Sequence, residues 1–145
     1  MSVTHRRRAR ELVLQGLYQR QLAGTSAEVI GTDLQASPGF ERADREYFTA
    51  LWPAVVLEWD ALIAELAPQL DRAVAHVSPI ERAILVVGAF ELKHRREIPY
   101  RVVIDEAVEL AKTYGGTDGH KFVNGVLDKL APRLRAEEAK LGSET

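Results

Sequence analysis

The chain has 145 residues and is 46% hydrophobic, enough for a packed core and too apolar for a disordered polypeptide. It contains no cysteine, which excludes disulfides and thiolate metal sites, and it has no apolar run near the ~20 residues that span a bilayer. The formal net charge is −2, and residues 1–10 hold four arginines and no acid, so the remainder carries −6 and any anion-binding surface is local.

Helical period runs through nearly every segment, and no stretch alternates as a strand does. The first helix is expected from about Arg6 to Leu22, with Ala9, Leu12, Val13, Gly16 and Leu17 on one face. Arg7, Arg10, Leu14 and Tyr18 share the adjacent face. Arginines ahead of an apolar stretch have the order of a signal peptide. Gln15, Gln19 and Arg20 interrupt that stretch, however, and no clean small-residue cleavage site follows, so a cytoplasmic protein is expected. After a turn at Gly24-Thr25-Ser26, a short helix is expected around Ala27–Gln35, and Ser37-Pro38-Gly39 breaks the chain.

Asp44 can cap the next helix, whose apolar positions repeat from Phe48 to Leu66; Pro53 should bend or split it, and Pro68 ends it. A short helix is expected around Asp71–His76. Ser78-Pro79-Ile80-Glu81 is the clearest local signal: an N-cap serine, a proline suited to the first helical position, and a glutamate completing a capping box. Ile80, Ala83, Ile84, Val87 and Leu92 line that helix, and Lys93, His94, Arg95 and Arg96 crowd its C-terminal end. Pro99 opens the next helix, which Gly115-Gly116 stop. Thr117 or Asp118 then caps a last helix carrying Phe122, Val123, Val126, Leu127 and Leu130, limited by Pro132. The pattern predicts an all-α chain of about seven helices in two packed three-helix groups, one domain over residues 1–145. Residues 1–5 and about 136–145 are expected to fray.

Catalytic constellations are poorly supported. Glu91 and His94 have the Glu-x-x-His spacing of carboxylate-bridged metal bundles, which need two such motifs, and there is one. Asp105 and Glu109 read as a solvated acidic face. Asp118 and His120 have no nucleophile with a matching elbow. The Gly115–Lys121 loop fails the Walker spacing. No catalytic residue, metal or cofactor is expected. The cations are more specific. Arg6, Arg7, Arg8 and Arg10 with Tyr18, and Lys121 with Phe122 at a second helix start, suit single-stranded RNA, whose phosphates attract cations and whose bases stack on rings. Asp118 opposes a phosphate there, and its bland role is a cap.

The segments RRRARELVLQGLYQRQL, SPIERAILVVGAFEL and PYRVVIDEAVELAKTYGGTDGHKFVNGVLDK closely resemble the NusB family of bacterial transcription antitermination factors. The resemblance covers about the first 22 residues and most of 78–132; residues 23–77 match only in helical pattern. It implies two three-helix groups and binding of boxA, a short single-stranded RNA element in ribosomal RNA leader transcripts. It also implies a complex with NusE, a small-subunit ribosomal protein, loaded onto the antitermination complex of elongating RNA polymerase. Residue by residue, it assigns RNA contact to Arg6, Arg7, Arg8, Arg10, Tyr18, Asp118, Lys121 and Phe122, and links Glu81 to NusE. Some members carry a tyrosine where this chain has Gln69, which cannot stack as a ring does. The fold also occurs fused to ribosomal RNA methyltransferases. Residues 1–145 contain no α/β domain or glycine-rich cofactor loop, so methyl transfer is not expected.

Two other readings compete. One is a protein-interaction module that docks NusE without intrinsic RNA affinity. The other is a small DNA-binding regulator, in which the Gly115-Gly116 hinge joins the helices of a helix-turn-helix. A homodimer is also open, because Leu14, Tyr18 and Leu22 could bury against a second copy.

Overall fold

The computed structural model describes residues 3–136 and 138. These residues form seven α-helices, three short 3₁₀ turns and no strand. They fall into two compact units, Met1–Trp59 and Asp60–Thr145.

The first unit contains α1 (Val3–Ala23), α2 (Ala27–Gln35) and α3 (Arg45–Leu57). Helix α1 begins at Val3, three residues before the expected start. Ser26 and Asp44 are side-chain N-caps that accept from the backbone N–H of Val29 and Tyr47. Asp44 is buried, and its own N–H donates to the His5 carbonyl at 2.9 Å, tying α3 to the first turns of α1. The core is an interlock around Trp52. A Cβ at Gly16 would lie 2.7 Å from Trp52 Cζ3, and one at Gly31 would lie 2.9 Å from Trp52 Nε1. The indole thus rests directly on α1 and α2 backbone, and its N–H donates to the Ala27 carbonyl at 3.0 Å. Leu12, Val13, Leu17, Ile30, Phe48 and Val55 of the same unit are fully buried.

The long apolar repeat from Phe48 to Leu66 is divided, but not at its proline. Helix α3 continues through Pro53 and ends at Leu57; Glu58 interrupts, and α4 (Trp59–Leu66) follows. Pro53 is on the exposed side of α3, and so is Thr49, whose carbonyl a proline at 53 deprives of its helical donor.

The second unit packs α5 (Pro79–His94), α6 (Tyr100–Tyr114) and α7 (Gly119–Leu134) on one another. Ser78 Oγ accepts from Glu81 N–H at 3.3 Å, as expected of the N-cap. Every residue from Ala83 to Leu92 is buried, the signature of a helix covered on all sides. Such a helix needs its terminal carbonyls satisfied without water. Arg135, which borders the tail expected to fray, does this work. It is 2% exposed. Its Nε donates to the Leu92 carbonyl at 2.7 Å, and Nη2 donates to those of Glu91 and Arg95, both at 2.9 Å. Nη1 donates to the Ile98 carbonyl at 2.6 Å and to Glu138 Oε1 at 2.8 Å. All five guanidinium N–H donors are used. Glu138 also accepts from Tyr100 N–H at 2.9 Å. Its partial burial raises the carboxyl pKa, but the bonds from Arg135 and Tyr100 outweigh that and leave it below its ordinary value. The remaining residues expected to fray, 1–2, 137 and 139–145, lie outside those described.

Candidate nucleic-acid interface

In the first unit the site residues share α1 but not one environment. Arg6 lies over the Tyr47 ring with 4.2 Å from Cζ to the centroid. Arg10 also approaches that ring, at 5.5 Å, and is 3% exposed. This differs from its expected place on an open stripe beside Tyr18. The physical reason is that α3 presents Tyr47 to α1, and a guanidinium with its alkyl stem covers an aromatic face well. Arg8 is half-buried and pairs with Glu11 at 3.5 Å. Arg7 and Tyr18 are exposed. Of the three residues offered to a second copy, Leu14 is already buried, whereas Tyr18 and Leu22 are open.

In the second unit the site is the hinge between α6 and α7. Its anchor is Glu81. Instead of returning to its own helix start, the Glu81 carboxylate accepts from Gly116 N–H at 3.0 Å. A Cβ on Gly119 would stand 2.6 Å from Glu81 Oε2, so the glycines admit the carboxylate into the loop. Asp118 occupies the N-cap position of α7 with φ of 60°, in the left-handed region that aspartate tolerates. It makes no side-chain cap, because this backbone turns its carboxylate away from the helix amides. The carboxylate instead sits 3.4 Å from Lys121 Nζ, with both side chains largely exposed. The Asp118 carbonyl accepts from the N–H groups of Lys121 and Phe122 at 3.1 and 3.2 Å. Those amides are spent, so any phosphate here meets the Lys121 side chain more than the helix end.

Phe122 is half-buried and does not sit alone. Arg72 places its guanidinium carbon 4.3 Å from the ring centroid. Asp71 fixes that guanidinium through Nε to Oδ1 at 2.7 Å and Nη2 to Oδ2 at 3.3 Å. The bond from Arg72 holds the Asp71 carboxyl below its ordinary value, and Asp71 in turn raises the guanidinium's. Beside them lies a depression of about 190 Å³ lined by Gln69, Asp71, Lys121, Phe122, Gly125, Val126 and Lys129. Arg72, Asp71 and Lys129 were not legible as site residues. The segment before Ser78 has no strong period, and nothing local ties residue 72 to residue 122.

Among the described residues, no group of three histidine, cysteine, aspartate or glutamate side chains is placed to hold a metal. No helix there is long and apolar enough to cross a membrane.

The chain is similar to known proteins over nearly its whole length. The model of the NusB family matches residues 7–132. The transcription antitermination protein NusB of Paraburkholderia phymatum is 54% identical over 135 residues, 93% of each chain. Among solved structures, T. maritima NusB matches with a TM-score of 0.79 at 26% identity, covering 93% of this chain and 96% of that one. A chain from a crystal structure of antitermination factors NusB and NusE in complex with dsRNA reaches a TM-score of 0.81, covering 91% of this chain and 99% of its own. At 23% identity that second likeness is one of fold.

Proposed function

This chain belongs to the NusB family, and from that premise we propose that it is a non-catalytic RNA-binding adaptor of transcription antitermination. It binds boxA RNA together with NusE and joins the complex on elongating RNA polymerase in the cytoplasm. The observation that carries this reading is the hinge before α7. There a lysine with 72% of its side chain exposed and a half-open phenylalanine flank one depression, a cation beside a stacking surface. Lys121 and Arg7 neutralise phosphates, and Tyr18 and Phe122 offer rings to bases. Arg6, Arg8 and Arg10 shape α1 through Tyr47 and Glu11. Glu81 holds the hinge, so its effect on RNA is indirect, and its contact with NusE is a separate role.

The test is fluorescence anisotropy of labelled single-stranded boxA RNA, a scrambled strand and a boxA duplex, each with and without NusE. Selective binding of the boxA strand that tightens with NusE is expected. Equal binding to all three, unchanged by NusE, contradicts the reading. The engagement of Arg6, Arg8 and Arg10 within the first unit favours a second reading, a NusE-docking module without intrinsic RNA affinity. It requires NusE binding with no boxA binding in the absence of NusE.

A further inference from the structure

We infer that Arg72 is a base-stacking platform of the RNA site, held over Phe122 by Asp71. This rests on the RNA-binding reading above and adds a residue that the family resemblance did not assign.

Three observations converge. The guanidinium lies over the Phe122 ring at stacking distance, so on that side of Phe122 a base meets the guanidinium and not the ring. Guanidinium planes stack on bases as aromatic rings do, and they add charge. Asp71 fastens one edge of the group through Nε and Nη2, which removes rotamer freedom before RNA arrives. Of the five guanidinium N–H donors, the two bonds to Asp71 leave three for a phosphate or a base edge. The Arg72 side chain is 41% exposed, so it is reachable.

The surroundings suit a nucleotide. Lys121 and Lys129 line the adjoining depression, and Gln69 offers an amide that both donates and accepts. With Arg72 they give three cations against the carboxylates of Asp71, Asp118 and Glu81, an even balance on a chain whose net charge is negative. Asp71 is ionised at neutral pH, since Arg72 depresses its pKa, so the clamp is present under the conditions of binding. On this assignment Asp71, although an anion, strengthens RNA binding by positioning Arg72. Simple electrostatics requires the opposite sign.

The experiment uses the full chain with labelled boxA RNA and a set of boxA strands carrying one abasic position each. Arg72→Lys keeps the charge and removes the plane. It should weaken intact boxA about tenfold, within the range of losing one stacked base, with the salt slope unchanged. At one abasic position the loss should vanish, because the base that stacks on Arg72 is gone. Asp71→Asn should weaken binding about twofold. Melting temperatures should stay put, since both side chains are exposed. The inference is overturned if Arg72→Lys binds as the unsubstituted chain does, if its loss is the same at every abasic position, or if Asp71→Asn tightens binding. Failure of the unsubstituted chain to prefer boxA overturns the RNA-binding reading itself, and the Arg72 assignment with it.

Discussion

The start of α1 and the start of α7 both concentrate basic residues with an aromatic nearby, and they use them in opposite ways. On α1, Arg10 is 3% exposed against Tyr47, Arg6 covers the same ring, and Arg8 pairs with Glu11. At α7, Lys121 keeps 72% of its side chain exposed and is joined by Arg72 on Phe122. Charge in the first region is largely spent on building the helix pair. In the second it remains available. A count of arginines therefore overstates the anion-binding capacity of α1 and understates that of the hinge. The two units also differ in what holds them. The first closes around an indole seated on two glycines, and the second around a buried guanidinium that caps α5.

Breaking each device separately sharpens this contrast. The largest effect is expected from Arg135→Ala, which leaves the Leu92 and Ile98 carbonyls unpaired in the interior, while the Glu91 carbonyl keeps the Arg95 N–H. It should cost about 3–5 kcal/mol in urea denaturation, and Arg135→Lys should recover little, having three donors for five acceptors. A loss below about 1 kcal/mol, the net worth of one ordinary hydrogen bond, would mean that the second unit does not depend on the clamp. Next is Gly16→Ala in the first unit. The new methyl meets Trp52 and Leu34 at 2.7 and 2.8 Å, so overpacking of about 1–3 kcal/mol is expected, read by tryptophan fluorescence during unfolding.

The hinge should respond more mildly. Glu81→Ala orphans the Gly116 N–H, for about 1 kcal/mol of stability. It should also weaken boxA binding a few-fold by loosening the loop, with Glu81→Gln restoring both because an acceptor oxygen returns. If Glu81→Ala instead abolishes NusE binding and leaves boxA binding intact, the residue serves the partner alone. The smallest effect lies at Glu138, whose pKa falls below its ordinary 4.5 on folding. A depressed carboxyl contributes stability above its unfolded value and loses it as pH falls through its folded one. The gap in melting temperature between the unsubstituted chain and Glu138→Gln should therefore hold from pH 7 to about 5 and close only in more acid solution.

Local chemistry made much of the fold legible. Ser78-Pro79 starts α5, Asp44 caps α3, and Gly115 ends α6 because each acts within a few residues of itself. The apolar stripes named much of the core, although Ile80 and Phe122 are only half-buried and α5 is buried on every side from Ala83 to Leu92. What stayed hidden depends on residues far apart in the chain. Arg135 reaches carbonyls more than 35 residues away, so a basic residue in a polar tail gave no sign of burial. Arg10 sits on the α1 stripe as its spacing required, but only the position of Tyr47 decides that the stripe is covered there. Asp118 was placed at the right position with the wrong task, since a left-handed φ is invisible in composition. The candidate site was half readable for the same reason. Lys121 and Phe122 follow a glycine hinge that announces itself, whereas Arg72 and Asp71 join them only through tertiary packing.

The contrast between spent and available cations is tested most directly by the salt dependence of boxA binding for Lys121→Ala and Arg10→Ala side by side. Lys121→Ala should flatten the log–log slope by about 0.7, one phosphate contact on a single strand, with an unchanged melting temperature. Arg10→Ala should lower the melting temperature and leave the slope as it was. A flattened slope for Arg10→Ala with none for Lys121→Ala would contradict the assignment and return the RNA surface to the arginines of α1.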